Sequence, residues 1–119
     1  MIDPLDLSKR IIFEDNHLIV VNKRPSWLVQ GDRTGDTSLV DALKDYIKVK
    51  YNKPGEVFLG SIHRLDRPVS GLVVFARTSK ALERMNAFFA GRDIQKTYLA
   101  ITEGRPPAPS ANLRHFLLK

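Results

Sequence analysis

Apolar and polar positions along the first part of the chain predict a β-hairpin followed by a loop. Two apolar runs rich in β-branched residues, Arg10–Phe13 and Leu18–Val21, flank the polar cluster Glu14–His17. Such runs around a short polar turn are typical of two paired strands. The next stretch, residues 22–36, contains one proline and two glycines without periodicity, and we expect it to be irregular.

A helix is predicted next, because apolar residues recur at helical spacing after residue 38. Thr37 or Ser38 is the expected N-cap, and the helix should end near Tyr51, before the turn-forming segment Asn52–Gly55. The inner face of this helix is predicted to consist of Leu39, Leu43, Tyr46 and Ile47.

Two apolar segments on either side of a polar loop predict strands in the middle of the chain. Val57–Ile62 is short and apolar, residues 63–70 are mostly polar, and Gly71–Ala76 is apolar at both odd and even positions. A strand of the last kind is typically buried on both faces. We therefore expect the polar loop to be held at the end of a buried strand.

A second helix and two further strands complete the prediction. Thr78 is the expected N-cap and Gly91 the expected end of the helix. Ile94–Glu103 and Ala111–Lys119 are predicted to be strands, joined by a proline-rich linker at residues 104–110. The apolar stripe of the second helix is Leu82, Met85, Phe88 and Phe89.

The predicted order of elements, β-β-α-β-β-α-β-β, indicates an α+β fold with a largely antiparallel mixed sheet and two packed helices. With 119 residues, the chain is expected to form one domain, residues 1–119. Its composition, 43% apolar and 27% charged, is ordinary for a folded chain and excludes a disordered one.

Composition also narrows the classes of function. The chain has no cysteine, which excludes disulfides, zinc ribbons, iron–sulfur sites and a thiol nucleophile. No apolar run approaches the roughly 18 residues of a membrane span, and the beginning of the chain lacks a signal-peptide core, so a cytoplasmic protein is expected. The 19 Lys and Arg against 13 Asp and Glu give a net charge of +6, which slightly favours a polyanionic partner.

The densest polar cluster, residues 63–71, lies on the loop between the two middle strands. Loops held by rigid strands often carry catalytic groups. Arg64 and Arg67 flank Asp66, and their positive charge favours a carboxylate anion that could attack a substrate or accept a proton. From spacing alone, a structural role is the more frequent one, in which Asp66 pairs with an arginine and fixes the turn.

The segment His63–Asp66, followed by Ser70–Gly71, an apolar strand and Ala76–Thr78, closely resembles the RluA-type family of pseudouridine synthases. Three further blocks agree with that family in order and spacing, and correspond to its opening hairpin, its first helix and the strand after its second helix. These blocks are Ile12–Lys23, Ser38–Leu43 and Lys96–Ile101.

The resemblance implies an isomerase that breaks the bond between uracil and ribose, rotates the base and rejoins it through carbon. By analogy Asp66 is the catalytic carboxylate; attack on the base, attack on the sugar and removal of a sugar proton all stay open. The implied partner is ribosomal or transfer RNA, with no metal, small-molecule cofactor or membrane. Arg64 is implied to fill the gap left by the flipped base, with a phosphate contact or a salt bridge to Asp66 as the alternative.

Several other residues are candidates for RNA binding. Tyr98 shares a face of its predicted strand with Lys96, where its ring could stack on the target uracil; a core position is the alternative. His63 is expected mainly to hold the loop by a hydrogen bond, and Trp27 to pack. The candidates for contacts to phosphate are Lys23, Arg24, Arg33 and Arg92, and Lys96 and Arg67 are further candidates for binding RNA.

Three departures from the family pattern qualify these expectations. Val69 stands where the family usually has threonine, and Arg24–Trp27 replaces the usual Pro-x-Gly after Asn22-Lys23. Family catalytic domains are also much longer, and their second half supplies a basic partner for the aspartate. The chain is therefore expected to be the amino-terminal half of such a domain, inactive alone and able to self-associate through an exposed sheet edge. A non-catalytic RNA-binding module or an inactive fragment is the alternative.

Overall fold

One four-stranded antiparallel sheet and three helices make up the regular structure of residues 2–118, the part of the chain that the computed structural model describes. The predicted α+β class is confirmed. In chain order the elements are α1 Pro4–Arg10, β1 Ile11–Glu14, β2 Leu18–Lys23, α2 Leu39–Lys50, β3 Gly60–Ser61, β4 Gly71–Ala76 and α3 Ser79–Ala90.

The central pair of strands, β2 and β4, determines where the polar loop lies. The strand order is β1-β2-β4-β3, and each neighbouring pair is antiparallel. The predicted hairpin is β1 with β2. Strands β2 and β4 are in register from Leu18 opposite Ala76 to Lys23 opposite Gly71. The end of β2 therefore lies beside the point where the loop of residues 63–70 enters β4.

The helices begin and end where local signals predict. The Ser38 hydroxyl accepts a hydrogen bond from the Asp41 N–H at the start of α2, and Tyr51 is the C-cap. The Thr78 hydroxyl likewise caps α3, which ends at Gly91. Helix α1 was not predicted, although its signals are in the sequence: the Asp3 carboxylate caps the helix and a proline follows it.

The hydrophobic core lies on one face of the sheet, between β2, β4, α1 and α2. Leu72, on the opposite face, is 55% exposed, so the expectation that β4 is buried on both faces is wrong. Helix α3, which contacts β3 and β4, leaves Leu72 uncovered. The residues of this core cluster that are at most 1% exposed are Leu7, Ile19, Val21, Leu39, Leu43, Ile47, Val73 and Phe75.

Other predictions in the second half need correction. Of Val57–Ile62 only Gly60–Ser61 is strand, and neither Ile94–Glu103 nor residues 111–118 form one; Lys119 lies outside the described residues. A strand needs a hydrogen-bonded partner, and the apolar side chains of these segments are exposed, for example Ile101 and Phe116. The stripe of α3 is only partly covered, with Phe88 48% exposed. Among the helices described, none is long and apolar enough to cross a membrane.

Candidate active site

The loop of residues 63–70 carries Asp66 at a turn on the protein surface. The Val69 N–H donates a hydrogen bond to the Asp66 carbonyl oxygen at 2.9 Å, which closes this turn. The loop then enters β4 at Gly71, whose φ of +138° is a conformation that favours glycine. The Asp66 side chain is exposed, so a substrate can reach its carboxylate.

Arg67 does not pair with Asp66 but with residues of the stretch 24–36. Its Nη2 donates to Asp36 Oδ2 at 2.7 Å, and its Nε donates to the Ser26 carbonyl at 2.9 Å. Within residues 2–118, no ion pair involves Asp66. The alternative in which Asp66 pairs with an arginine and fixes the turn is therefore not observed. The Arg67 guanidinium is thus engaged within the protein, and its role as an RNA contact stays a prediction.

Lys23 is also placed differently from the expectation. Its side chain is 0% exposed, and its Nζ donates to the carbonyl oxygens of Arg24 and Arg67, each at 3.0 Å. Burial and the neighbouring charge of Arg67 lower the pKa of Lys23. A phosphate contact needs an accessible ammonium group, so that expectation is wrong. Arg24, another candidate, forms an ion pair with Asp6 instead.

Ser26 explains how the loop tolerates a departure from the family pattern. The usual Pro-x-Gly after Asn22-Lys23 would place its glycine at position 26, where this chain has serine. Ser26 has a φ of +73°, in the left-handed region that favours glycine. The serine therefore keeps a backbone suited to glycine, and its N–H donates to the Arg67 carbonyl at 2.8 Å.

His63 joins the start of the loop to β4 and α3. Its Nε2 accepts a hydrogen bond from the Val74 N–H at 3.1 Å, and its ring stacks on Phe89 with 5.0 Å between the ring centres. The Lys96 Nζ lies 5.3 Å from the centre of the same Phe89 ring. Burial, with a smaller effect of the Lys96 charge, lowers the pKa of His63. This geometry suits a neutral histidine that holds the loop.

Arg64 and Tyr98 are both accessible but differ in their surroundings. Arg64 lines a small polar pocket of about 230 Å³ together with Gln30, residues 61–62 and His63. Tyr98 is 62% exposed on irregular backbone, so the argument that placed it on a strand face with Lys96 fails. Its role in stacking stays a prediction.

Three other predicted residues can be placed by their exposure. Trp27 is 6% exposed, which confirms that it packs. Arg33 and Arg92 are exposed, and their contacts to phosphate stay predictions.

A second cavity, larger than the one beside Arg64, lies away from this loop. It measures about 520 Å³ and is lined mainly by α1 and α2 residues such as Leu7, Ala42 and Tyr46. None of the residues 63–70 lines it, so the chemistry of the Asp66 loop, rather than cavity size, identifies the candidate site. In the part of the chain described, no group of three or more His, Asp or Glu side chains is arranged to hold a metal ion.

Two members of the site were not predicted: Asp36 and Phe89 as partners of Arg67 and His63. No sequence feature near Asp36 indicates its ion pair with Arg67, because the pair forms only when the long irregular segment before Asp36 folds back toward the loop. Phe89 was predicted as core, and only its partner was unknown.

Comparison with known proteins identifies the family. Residues 17–117 match the family model described as RNA pseudouridylate synthase. The chain belongs to this family. It is 40% identical over 107 residues to a protein named ribosomal large subunit pseudouridine synthase D from Zymomonas mobilis subsp. mobilis, covering 87% of the chain and 33% of that protein. The resemblance to the RluA-type group of pseudouridylate synthases is thereby confirmed.

Two further relatives extend this comparison. A protein named tRNA pseudouridine synthase C from Pectobacterium carotovorum is 34% identical over 97 residues, covering 79% of the chain and 24% of that protein. The solved structure of human RNA pseudouridylate synthase domain containing 4 matches with a TM-score of 0.64 and 26% identity, covering 76% of the chain and 33% of that structure. The chain therefore spans between a quarter and a third of the length of these pseudouridylate synthases.

Proposed function

We propose that this chain supplies the catalytic aspartate of an enzyme that converts uridine to pseudouridine in RNA, and that Asp66 is that aspartate. The observation that carries the proposal is the Asp66 carboxylate, which is exposed and forms no ion pair within residues 2–118. It lies on a loop held by hydrogen bonds, in a chain that belongs to the pseudouridylate synthase family. Relatives are named for the ribosomal large subunit and for tRNA. Ribosomal or transfer RNA is therefore the proposed substrate class.

The reaction needs an anion placed close to one nucleoside. The N1–C1′ bond breaks, a C5–C1′ bond forms, the proton on C5 is released and N1 gains a proton. A carboxylate can assist either as a nucleophile or as a proton acceptor. Asp66 has the required exposure, and hydrogen bonds to His63 and to the Arg67 carbonyl hold the chain on either side of it.

Arg64 is the proposed group that replaces the flipped uridine in the RNA. Extruding a base costs a few kcal/mol in a paired or stacked RNA, and a planar guanidinium can stack in its place. Arg64 is exposed two residues before Asp66, so both side chains can reach the same nucleotide.

Other parts of the active site are proposed to come from outside residues 2–118. Asp66 has no cationic side chain bound to it within the described residues, and the chain spans about a third of the length of the Zymomonas relative. A carboxylate exposed to water on all open sides is a weak catalyst, because water screens its charge. We therefore propose that residues 1–119 alone do not catalyse the isomerisation.

Substitution of Asp66 tests the assignment. In the protein that carries this chain, Asp66→Asn should abolish tritium release from RNA containing [5-³H]uridine and leave RNA affinity close to normal, because phosphate contacts dominate affinity. Asp45→Asn, at an exposed position of α2, is the matched control and should retain activity. Turnover by the asparagine variant at the normal rate would refute the role of Asp66. RNA binding by the unaltered protein without tritium release would favour a binding module.

A further inference from the structure

Arg67 closes the stretch from Ser26 to Asp36 into a loop that is bound beside Asp66. At one end Ser26 and Arg67 exchange hydrogen bonds: the Ser26 N–H donates to the Arg67 carbonyl at 2.8 Å, and Arg67 Nε donates to the Ser26 carbonyl at 2.9 Å. At the other end Arg67 Nη2 donates to Asp36 Oδ2 at 2.7 Å. One side chain thus binds both ends of this segment, which we call the 26–36 loop.

These contacts depend on the shape of a guanidinium group. Nε and Nη2 point in fixed directions, so one arginine can serve a main-chain carbonyl and a carboxylate at the same time. The ammonium group of a lysine is a single point of charge and does not have this fork. Ser26 keeps a φ of +73°, a strained conformation for serine that persists only where its surroundings determine it.

The contacts fix the backbone that directly follows the Asp66 side chain. The Asp66 carbonyl accepts from the Val69 N–H, and the Arg67 carbonyl accepts from both Ser26 and Lys23. Movement of the backbone that carries the Asp66 carboxylate therefore requires a rearrangement of the turn or of the 26–36 loop. In catalysis, a misplacement of about 1 Å can lower a rate by about 100-fold.

We propose that Arg67 and Asp36 are positioning residues for Asp66, and that their pairing orients its carboxylate rather than binding RNA. The inference rests on the proposed function of Asp66. The hydrogen bond from Arg67 and then its charge hold the pKa of Asp36 below its ordinary value, so the pair is charged at neutral pH. The side chains are 37% and 53% exposed, and pairs so exposed add little to stability. Their effect is on geometry.

Substitution of Asp36 separates positioning from RNA binding, because the two roles predict different kinetics. Asp36→Ala removes a negative charge, so electrostatics alone cannot weaken binding to a polyanion. If the pair positions Asp66, kcat for tritium release from [5-³H]uridine RNA should fall about 10- to 100-fold with little change in KM. Asp36→Glu should restore most of the rate, because the carboxylate is kept.

The matched control is Asp45→Ala on α2. Asp45 is exposed and carries the same charge outside the 26–36 loop, so its loss should leave kcat unchanged. If Arg67 instead contacts phosphate, Asp36→Ala frees it to do so. RNA binding should then become tighter, and the slope of its affinity against salt concentration should increase by about one released counterion, without loss of kcat. That result would overturn the inference.

Arg67→Lys gives a second, independent comparison. A lysine preserves a phosphate contact but cannot bind Ser26 and Asp36 together. Positioning therefore predicts that Arg67→Lys lowers kcat as much as Arg67→Ala does. Full rescue by lysine would overturn the inference.

Hydrogen exchange provides a readout that does not depend on catalysis. The amides of Ser26 and Val69 should exchange faster in Asp36→Ala than in the unaltered protein, whereas the amide of Val73, in β4, should not change. If each of the three amides exchanges at the same rate in Asp36→Ala as in the unaltered protein, the positioning role is refuted. If the unaltered protein releases no tritium, the proposed function fails, while exchange still reports whether Arg67 holds the loop.

Discussion

The main-chain N–H of Val74 donates a hydrogen bond to Nε2 of His63. Strand β3 ends at Ser61, opposite Phe75, so the imidazole supplies an acceptor where the strand no longer does. A ring nitrogen can accept this bond only when it carries no proton. The fold at the start of the Asp66 loop therefore depends on a neutral His63.

Acid should weaken the fold through His63. Burial lowers the pKa of His63, so the unfolded chain, with a histidine pKa of about 6.5, binds the proton more readily than the folded one. The stability that this group contributes is therefore complete above about pH 6.5 and is lost as the pH falls toward the lower folded pKa. Urea unfolding from pH 7.5 down to pH 5.5, roughly the range in which histidine titrates, measures the effect.

Two variants assign this pH dependence. His63→Gln should flatten the decrease in stability over the same pH range, because no imidazole remains at the site. His17→Gln, at an exposed position of the hairpin turn, should leave the decrease unchanged. An unchanged slope in His63→Gln would show that other groups cause it.

Ser26→Gly should stabilise the fold. A left-handed backbone costs an L-residue about 1–2 kcal/mol, whereas glycine loses about 0.5–1 kcal/mol of additional entropy on folding. The difference predicts a gain in the free energy of unfolding of roughly 0.5–1 kcal/mol, measurable by urea unfolding. Ser79→Gly, at the exposed start of α3, should not give this gain. A loss of stability in Ser26→Gly would mean that the serine side chain matters more than its backbone.

Arg64→Ala should affect structured RNA more than flexible RNA. If Arg64 fills the space of the flipped base, its loss raises the cost of extrusion only where the base is paired or stacked. Tritium release from a hairpin and from an unstructured strand with the same uridine context compares the two. Arg84→Ala, at an exposed position of α3, is the control for loss of a positive charge. Equal losses on both RNAs would favour a phosphate contact for Arg64.

Local signals made helices α2 and α3, the hairpin and the Asp66 loop predictable. Ser38 and Thr78 are caps whose side chains bond within their own first turn, so their function can be recognised from neighbouring residues. The segment Ile94–Glu103 could not be predicted in this way. Its alternation resembles a strand, but a strand forms only beside a partner, which sequence periodicity does not reveal.

The site shows the same distinction. Asp66 can be proposed from its neighbours in sequence, whereas the placement of Lys23 depends on a residue far from it. Lysine is rarely buried, and an RNA-binding role was the reasonable expectation. Its two acceptors are main-chain carbonyls, one of them 44 positions away, and no side-chain pattern marks such oxygens in a sequence.

The 26–36 loop has a consequence for how this chain can vary. Both of its ends are bound by Arg67, whereas residues 30–36 are all exposed. The entropy of closing a loop grows only slowly with its length, by about 0.6 kcal/mol for each doubling. Insertions in the middle of the loop should therefore be tolerated without disturbing the position of Asp66. A single-residue deletion in β2 would instead turn Lys23 to the other face of the sheet and separate it from the Arg67 carbonyl.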